Sequence, residues 1–237
     1  VPTRQLNDRV GVLLKPLVDD IMRDCIPLGY RCSSFEDAEV SQMERVVKRF
    51  NSLKTIPPCR LLISGKSESM GQTSYVLPVL LNNLGHLSIF PLSAARLFSG
   101  GCIEESFTGI VQQAISSSSR GAPALLVIPA IDVWYRSVPP SLWQLLIAAL
   151  NSFSETTSIM FLATCGCCYK ELPSEVRELF RLRQIREIGP PKEDPKIEYF
   201  SQIIIEPSLR EPEVFDVTEY PEIPLATKSL PVHHYSK

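Results

Sequence analysis

Apolar residues recur at helical intervals near the start of the chain, where Leu6, Val10, Leu13, Leu14, Leu17, Val18 and Ile21 predict a helix over 6–26. Pro16 lies inside that run and predicts a kink, since it lacks an N–H and crowds the preceding turn. A loop near Gly29–Ser34 and a second helix over Ser41–Leu53 follow, with Ser41 as N-cap and Glu44 at capping-box spacing. Pro57-Pro58 closes this segment, and the pattern then changes to short, wholly apolar runs alternating with amphipathic ones. The runs Cys59–Ser64, His86–Pro91, Ala124–Ile128, Ser158–Thr164 and Gln184–Ile188 predict strands. Between them, Gln72–Leu84, Glu104–Ile115, Ser141–Asn151 and Ser174–Phe180 predict helices, and Asp194–Ile205 a final one. Strands apolar throughout belong to a parallel sheet covered on both faces. The expected class is therefore α/β with five parallel strands, and ligands of such sheets sit beyond the carboxyl ends of the strands. The four-serine run Ser116–Ser119 reads as a loop joining helix to strand, and no internal repeat interrupts the scheme.

Three units are expected: a helical segment over 1–58, the α/β domain over 59–205, and a tail over 206–237. The tail is marked by Pro207, Pro212, Pro221, Pro224 and Pro231 without helical periodicity. Composition narrows the function classes. The 237 residues are 44% apolar and 21% charged, enough to fill a core. Twenty-four Lys and Arg against twenty-six Asp and Glu leave a net charge of -2, so no bulk positive field supports nonspecific nucleic-acid binding. No apolar run reaches bilayer length and no secretory leader opens the chain, so a membrane role is not expected. Seven cysteines without framework spacing fit a reducing compartment. Cys165, Cys167 and Cys168 lack a second Cys or His pair at zinc-site spacing, so no metal is expected. With only His86, His233 and His234 present, histidine catalysis is nearly excluded.

The candidate site lies where the first strand meets its helix. Gly65-Lys66-Ser67-Glu68-Ser69-Met70-Gly71-Gln72-Thr73 has the strand, glycine-bounded loop and helix of a phosphate-binding P-loop. That chemistry needs backbone N–H groups facing the phosphates, a Lys directly after the second Gly, and a hydroxyl on Mg²⁺. Thr73 retains the hydroxyl, but Gln72 stands in the Lys position. Five residues separate Gly65 from Gly71 where the motif has four, and Glu68 adds negative charge. Loss of the Lys removes charge-assisted bonds of about 1.5–3 kcal/mol each. Lys66 is at the wrong end of the loop and substitutes only by folding back over it. On the third strand, the positions for a metal-binding Asp and a water-orienting Glu are Pro129 and Ala130, with Asp132 three residues past the metal position. Hydrolysis is not expected. No cofactor is expected either, with ATP or ADP left as a weak or structural ligand.

The glycine loop, the Pro123–Asp132 stretch PALLVIPAID and the Phe161–Phe180 stretch FLATCGCCYKELPSEVRELF together resemble an AAA+ module of the P-loop NTPase class. In the AAA signature a polar sensor Asn follows Ala-Thr. Here Ala163-Thr164 is kept, the sensor position is Cys165, and Leu172-Pro173 survives. The combination of Gly71-Gln72, Ile128-Pro129 and the Leu172–Phe180 pattern resembles the second, degenerate AAA+ module of the bromodomain-containing chromatin AAA ATPases, the Tat-binding-homologue family. Leu14-Lys15-Pro16-Leu17 fits the segment preceding that module. The resemblance implies a nuclear, chromatin-associated protein whose full chains form hexameric rings, hydrolyse ATP in a separate AAA+ module and act on histones H3–H4. It implies a structural, ring-forming role for this stretch, with the helical lid reduced to about one helix. It also matches Arg177 to the first inter-subunit arginine, while Leu179-Phe180 stands where the second would be.

Phe98 follows the second strand where the family carries an aromatic pore loop, and plain packing is the alternative. Trp134 and Tyr135 read as core or subunit-interface residues rather than base-stacking ones. Arg177, Arg181, Arg183 and Arg186 read first as a solvated face. Two rivals to the non-hydrolysing module stand: a working NTPase using Lys66 and Asp132 in displaced roles, and a monomeric adaptor that keeps the AAA+ shell.

Overall fold

The computed structural model describes residues 8–31, 56–67, 70–99, 101–153, 157–190 and 193–201. In chain order the elements are α1 Asp8–Asp24, β1 Cys59–Gly65, α2 Leu77–Asn83, β2 Ser88–Pro91, α3 Ala94–Phe98, α4 Ile103–Ser119 and β3 Ala124–Ile128. They continue with α5 Ile131–Ser137, α6 Pro140–Ser152, β4 Ile159–Thr164, α7 Ser174–Arg177, β5 Ile185–Ile188 and α8 Glu193–Phe200. The strands form one sheet in the order β2-β3-β4-β1-β5. Every pairing is parallel, with Leu61 opposite Leu162 in the β1–β4 register and Leu126 opposite Phe161 in the β3–β4 register. The α/β class with five parallel strands and helices on both faces is as expected.

Alternate strand residues feed two apolar layers. Leu62, Leu126, Ile128, Phe161 and Ala163 face a core built with Phe107, Ile110 and Val111 of α4 and Leu142, Leu146 and Leu150 of α6. Leu61, Ile63, Leu125, Val127, Met160 and Leu162 face the other, with Val18, Ile21 and Met22 of α1 and Leu77, Leu80 and Leu84 around α2. Burial on both faces explains why these strands read as continuous apolar runs instead of alternating ones. Among the described residues no helix is long and apolar enough to cross a membrane.

Several expectations need correction. Ser116–Ser119 is the last turn of α4, not a loop. Two of its serines bond to the helix or the sheet: the Ser119 hydroxyl donates to Ile115 O at 2.9 Å and the Ser117 hydroxyl to Ser88 Oγ at 3.0 Å. The chain turns only at Gly121, whose φ of 85° suits glycine. The helix expected over Ser174–Phe180 stops at Arg177. The following turns tighten so that Phe180 stacks on Phe161 with ring centroids 5.7 Å apart. α1 runs on through Pro16, which lies on its exposed side. β2 begins at Ser88 and β5 at Ile185, two and one residues later than expected. The helices α3 and α5, five and seven residues long, are too short for periodicity to reveal. α8 begins at Glu193 and is described to Phe200. The helix expected over Ser41–Leu53 and the tail over 206–237 lie outside the described residues.

Candidate functional site

The loops after β1, β3 and β4 converge at the carboxyl end of the sheet, where ligands of open α/β sheets bind. β1 ends on Gly65, where a Cβ would fall 2.9 Å from Gln72 Nε2 and 3.2 Å from its Cδ. Gly71 takes a left-handed φ of 75° and starts a single π turn over Gln72–Val76, in which Tyr75 N and Val76 N both donate to Gly71 O at 2.8 and 3.0 Å. The α-helix begins only at Leu77. Pro78 sits within its first turn and does not break it, because a missing N–H is tolerated there. Glu68 and Ser69 lie outside the described residues.

Gln72 decides what the loop can hold. It is 1% exposed, and its Nε2 donates to Ser67 O at 2.9 Å and to Cys165 O at 2.8 Å. The side chain runs back into the loop and spans from it to the loop after β4. Its Oε1 is buried with no hydrogen-bond partner. The opposite amide orientation would set that oxygen against two carbonyls, so the two acceptors fix the one observed. Lys66 is exposed and makes no hydrogen bond or ion pair among the described residues, so it does not fold back over the loop.

The neighbouring polar groups are bonded to one another. Thr73 Oγ1 lies 2.7 Å from Thr164 Oγ1, and Thr164 Oγ1 accepts from Ala130 N at 3.0 Å. Ala130 is the one non-glycine residue with positive φ among those described, at 50°. Pro129 and Ala130 offer no carboxylate. Asp132 is buried, with Oδ1 accepting from Gly166 N at 3.2 Å and Oδ2 lying 3.6 Å from Arg136 Nη2. Its charge is spent inside the protein on the β4 loop and on α5.

Cys165, at the sensor position, is fully buried. Its N–H donates to Ile63 O at 3.0 Å and its Sγ to Cys167 O at 3.3 Å. Burial first, then the neighbouring Cys167, pushes the thiol up to about 12. At pH 8 Cys165 then stays a thiol, so native alkylation should label exposed Cys102 and spare Cys165. Peptide mapping after iodoacetamide treatment checks this, and rapid Cys165 labelling in folded protein would refute it. No set of three or more His, Cys, Asp or Glu side chains converges as a metal site among the described residues.

Two further expected residues lie apart from this network. Arg177, at the end of α7, has its Nε buried without a hydrogen-bond partner, and its carbonyl accepts from Tyr169 Oη at 3.3 Å. Phe98 ends α3 with 48% of its surface exposed, so it is not packed into the core. Trp134 is buried, and Tyr135 meets Trp143 edge-on at 4.8 Å. Sequence reading missed the joining role of Thr164. Its signal was present in the retained Ala163-Thr164 pair, which carried no hint of a partner across the sheet end.

Comparison with known proteins agrees with this architecture. The chain is 36% identical over 234 residues to Tat-binding homolog 7 of Caenorhabditis briggsae, and equally so to Tat-binding homolog 7 of Caenorhabditis elegans. Each match covers 98% of this chain and 18% of the relative, so the chain spans under a fifth of their length. It is also 31% identical over 150 residues, 62% of its length, to 10% of the human ATPase family AAA domain-containing protein 2B. No family model matches the chain.

Proposed function

Because the chain is an AAA+ module of the Tat-binding-homologue family, we propose that it is a non-hydrolysing one, structural in role, within a longer ATPase chain. The observation that carries this reading is the Gln72 side chain, bonded to Ser67 O and Cys165 O in the loop that would cradle phosphates. A bound triphosphate would need that amide displaced, with no cation gained in its place. Three features add support. Thr73 is engaged with Thr164 and Lys66 points to solvent. Positions 129 and 130 carry no group to hold a metal or orient water, and positioned groups of that kind are worth about 10²–10⁴ in rate. Asp132 does not replace them, since both of its oxygens are committed.

The role left to the module is to brace a ring. Through its parent chain it would assemble as a hexamer, in the nucleus, on a chromatin ATPase that handles histones H3–H4, with Arg177 facing a neighbouring subunit. These last elements rest on the family resemblance. Purified chain with ATP and Mg²⁺ should release no phosphate above the protein-free rate, and Thr73→Ala should change nothing. Turnover that Thr73→Ala abolishes would overturn the reading.

A further inference from the structure

The most exposed large apolar side chain among those described is Leu182, at 80%. It lies in the 3₁₀ turn Leu182–Gln184, held by Gln184 N donating to Arg181 O at 2.8 Å and Arg181 N donating to Gln184 Oε1 at 2.9 Å. Arg181 and Arg183 flank it, both exposed and neither in an ion pair among the described residues. Nearby carboxylates are turned elsewhere. Asp20 meets Arg186 at 3.8 Å and Arg23 at 2.5 Å, and Glu187 lies 4.0 Å from Cys168 Sγ. An apolar knob between two unneutralised guanidinium groups suits an acidic segment that carries apolar residues of its own.

We propose that this turn is the docking surface for the chain's own acidic stretch, residues 211–223. That stretch, EPEVFDVTEYPEI, holds Glu211, Glu213, Asp216, Glu219 and Glu222 and no Lys or Arg. Val214, Phe215, Val217 and Tyr220 alternate with those charges and supply the apolar contact for Leu182. Connectivity permits the contact. α8 packs on α1, and α1 reaches β5, the strand that the turn leads into, through Asp20 and Arg186. Ten further residues span up to about 34 Å. Tethering keeps the segment near millimolar effective concentration, so a few charge pairs and one apolar contact suffice. The inference does not depend on the state of the nucleotide loop.

Hydrogen exchange read by mass spectrometry on the full chain tests it. Amides of 211–223 should exchange about tenfold more slowly in the native chain than in the Arg181→Glu/Arg183→Glu chain, the size of effect that ~1.4 kcal/mol of docking gives. Glu213→Lys/Asp216→Lys alters the segment without touching the sheet domain, and should remove the protection equally. Combining both charge reversals should restore it. Equal exchange in all chains would overturn the proposal. Protection that disappears on dilution would also overturn it, by assigning the surface to a second copy.

Discussion

Gln72→Glu should destabilise the fold by about 3–5 kcal/mol at neutral pH, the range for a buried charge left without compensation. The substitution hardly alters shape. It replaces the donating Nε2 with an oxygen that meets Ser67 O and Cys165 O at 2.9 and 2.8 Å, so two attractive contacts become repulsive. The residue is 1% exposed and water cannot relieve the charge. The new carboxyl would have its folded pKa raised far above the ordinary ~4.3 of Glu. Such a group binds its proton more tightly in the folded state. The penalty is therefore small below about pH 4 and grows as pH rises toward the folded pKa. Urea unfolding at pH 4 and pH 7 measures this, with Gln72→Ala as the uncharged comparison. The alanine chain should lose about 2 kcal/mol at both pH values, from two lost bonds and two stranded carbonyls. Equal losses for the two variants at neutral pH would show that water enters the loop, and the closed loop would have to be abandoned.

That closed loop shows which parts of the protein could be read from sequence and which could not. The strands were legible because each of Leu61–Ile63, Ala124–Ile128 and Ile159–Thr164 is buried on both faces, which leaves an unbroken apolar run. Order in the sheet was less so, since strand pairing follows crossovers that no local pattern records. The absence of Lys and of both third-strand carboxylates was plain at Gln72, Pro129 and Ala130. What Gln72 does instead was not, because Cys165 lies 93 positions away and its acceptor is a backbone carbonyl, which leaves no trace in residue identity. The same holds for Thr73 and Thr164, 91 positions apart. The serine run misled because serine favours loops on average, whereas here the Ser119 hydroxyl bonds back to Ile115 O and the Ser117 hydroxyl reaches Ser88 on β2, so α4 continues through the run. Lys66 and Asp132 had the right chemistry for displaced roles, and only geometry shows one in solvent and the other committed to Gly166 and Arg136.

A second large effect is expected far from the loop, at Arg60, whose place on β1 gave no hint of importance. Its Nη1 donates to Leu179 O at 3.1 Å, and its Nη2 to Leu150 O at 2.9 Å and Asn151 Oδ1 at 3.3 Å. Leu150 stands near the end of α6, where the last four carbonyls have no partner within the helix. A guanidinium there supplies hydrogen bonds and also favours the negative end of the helix dipole. It thus joins β1, the end of α6 and the turn after α7 at one point. Burial, followed by the like charge of Arg181, lowers its pKa from the usual value, yet an arginine stays charged across any working pH. Arg60→Met keeps most of the apolar stem but removes every bond, and should cost about 3 kcal/mol in urea unfolding. Arg60→Lys should recover under half of that, because one ammonium cannot reproduce the fork that reaches Leu179 and Leu150 together. Neither loss should change between pH 5 and 8, in contrast to Gln72→Glu. An Arg60→Met chain as stable as the parent would mean that water serves those carbonyls equally well, and the joint between the strand and its two helices would then contribute nothing to the fold.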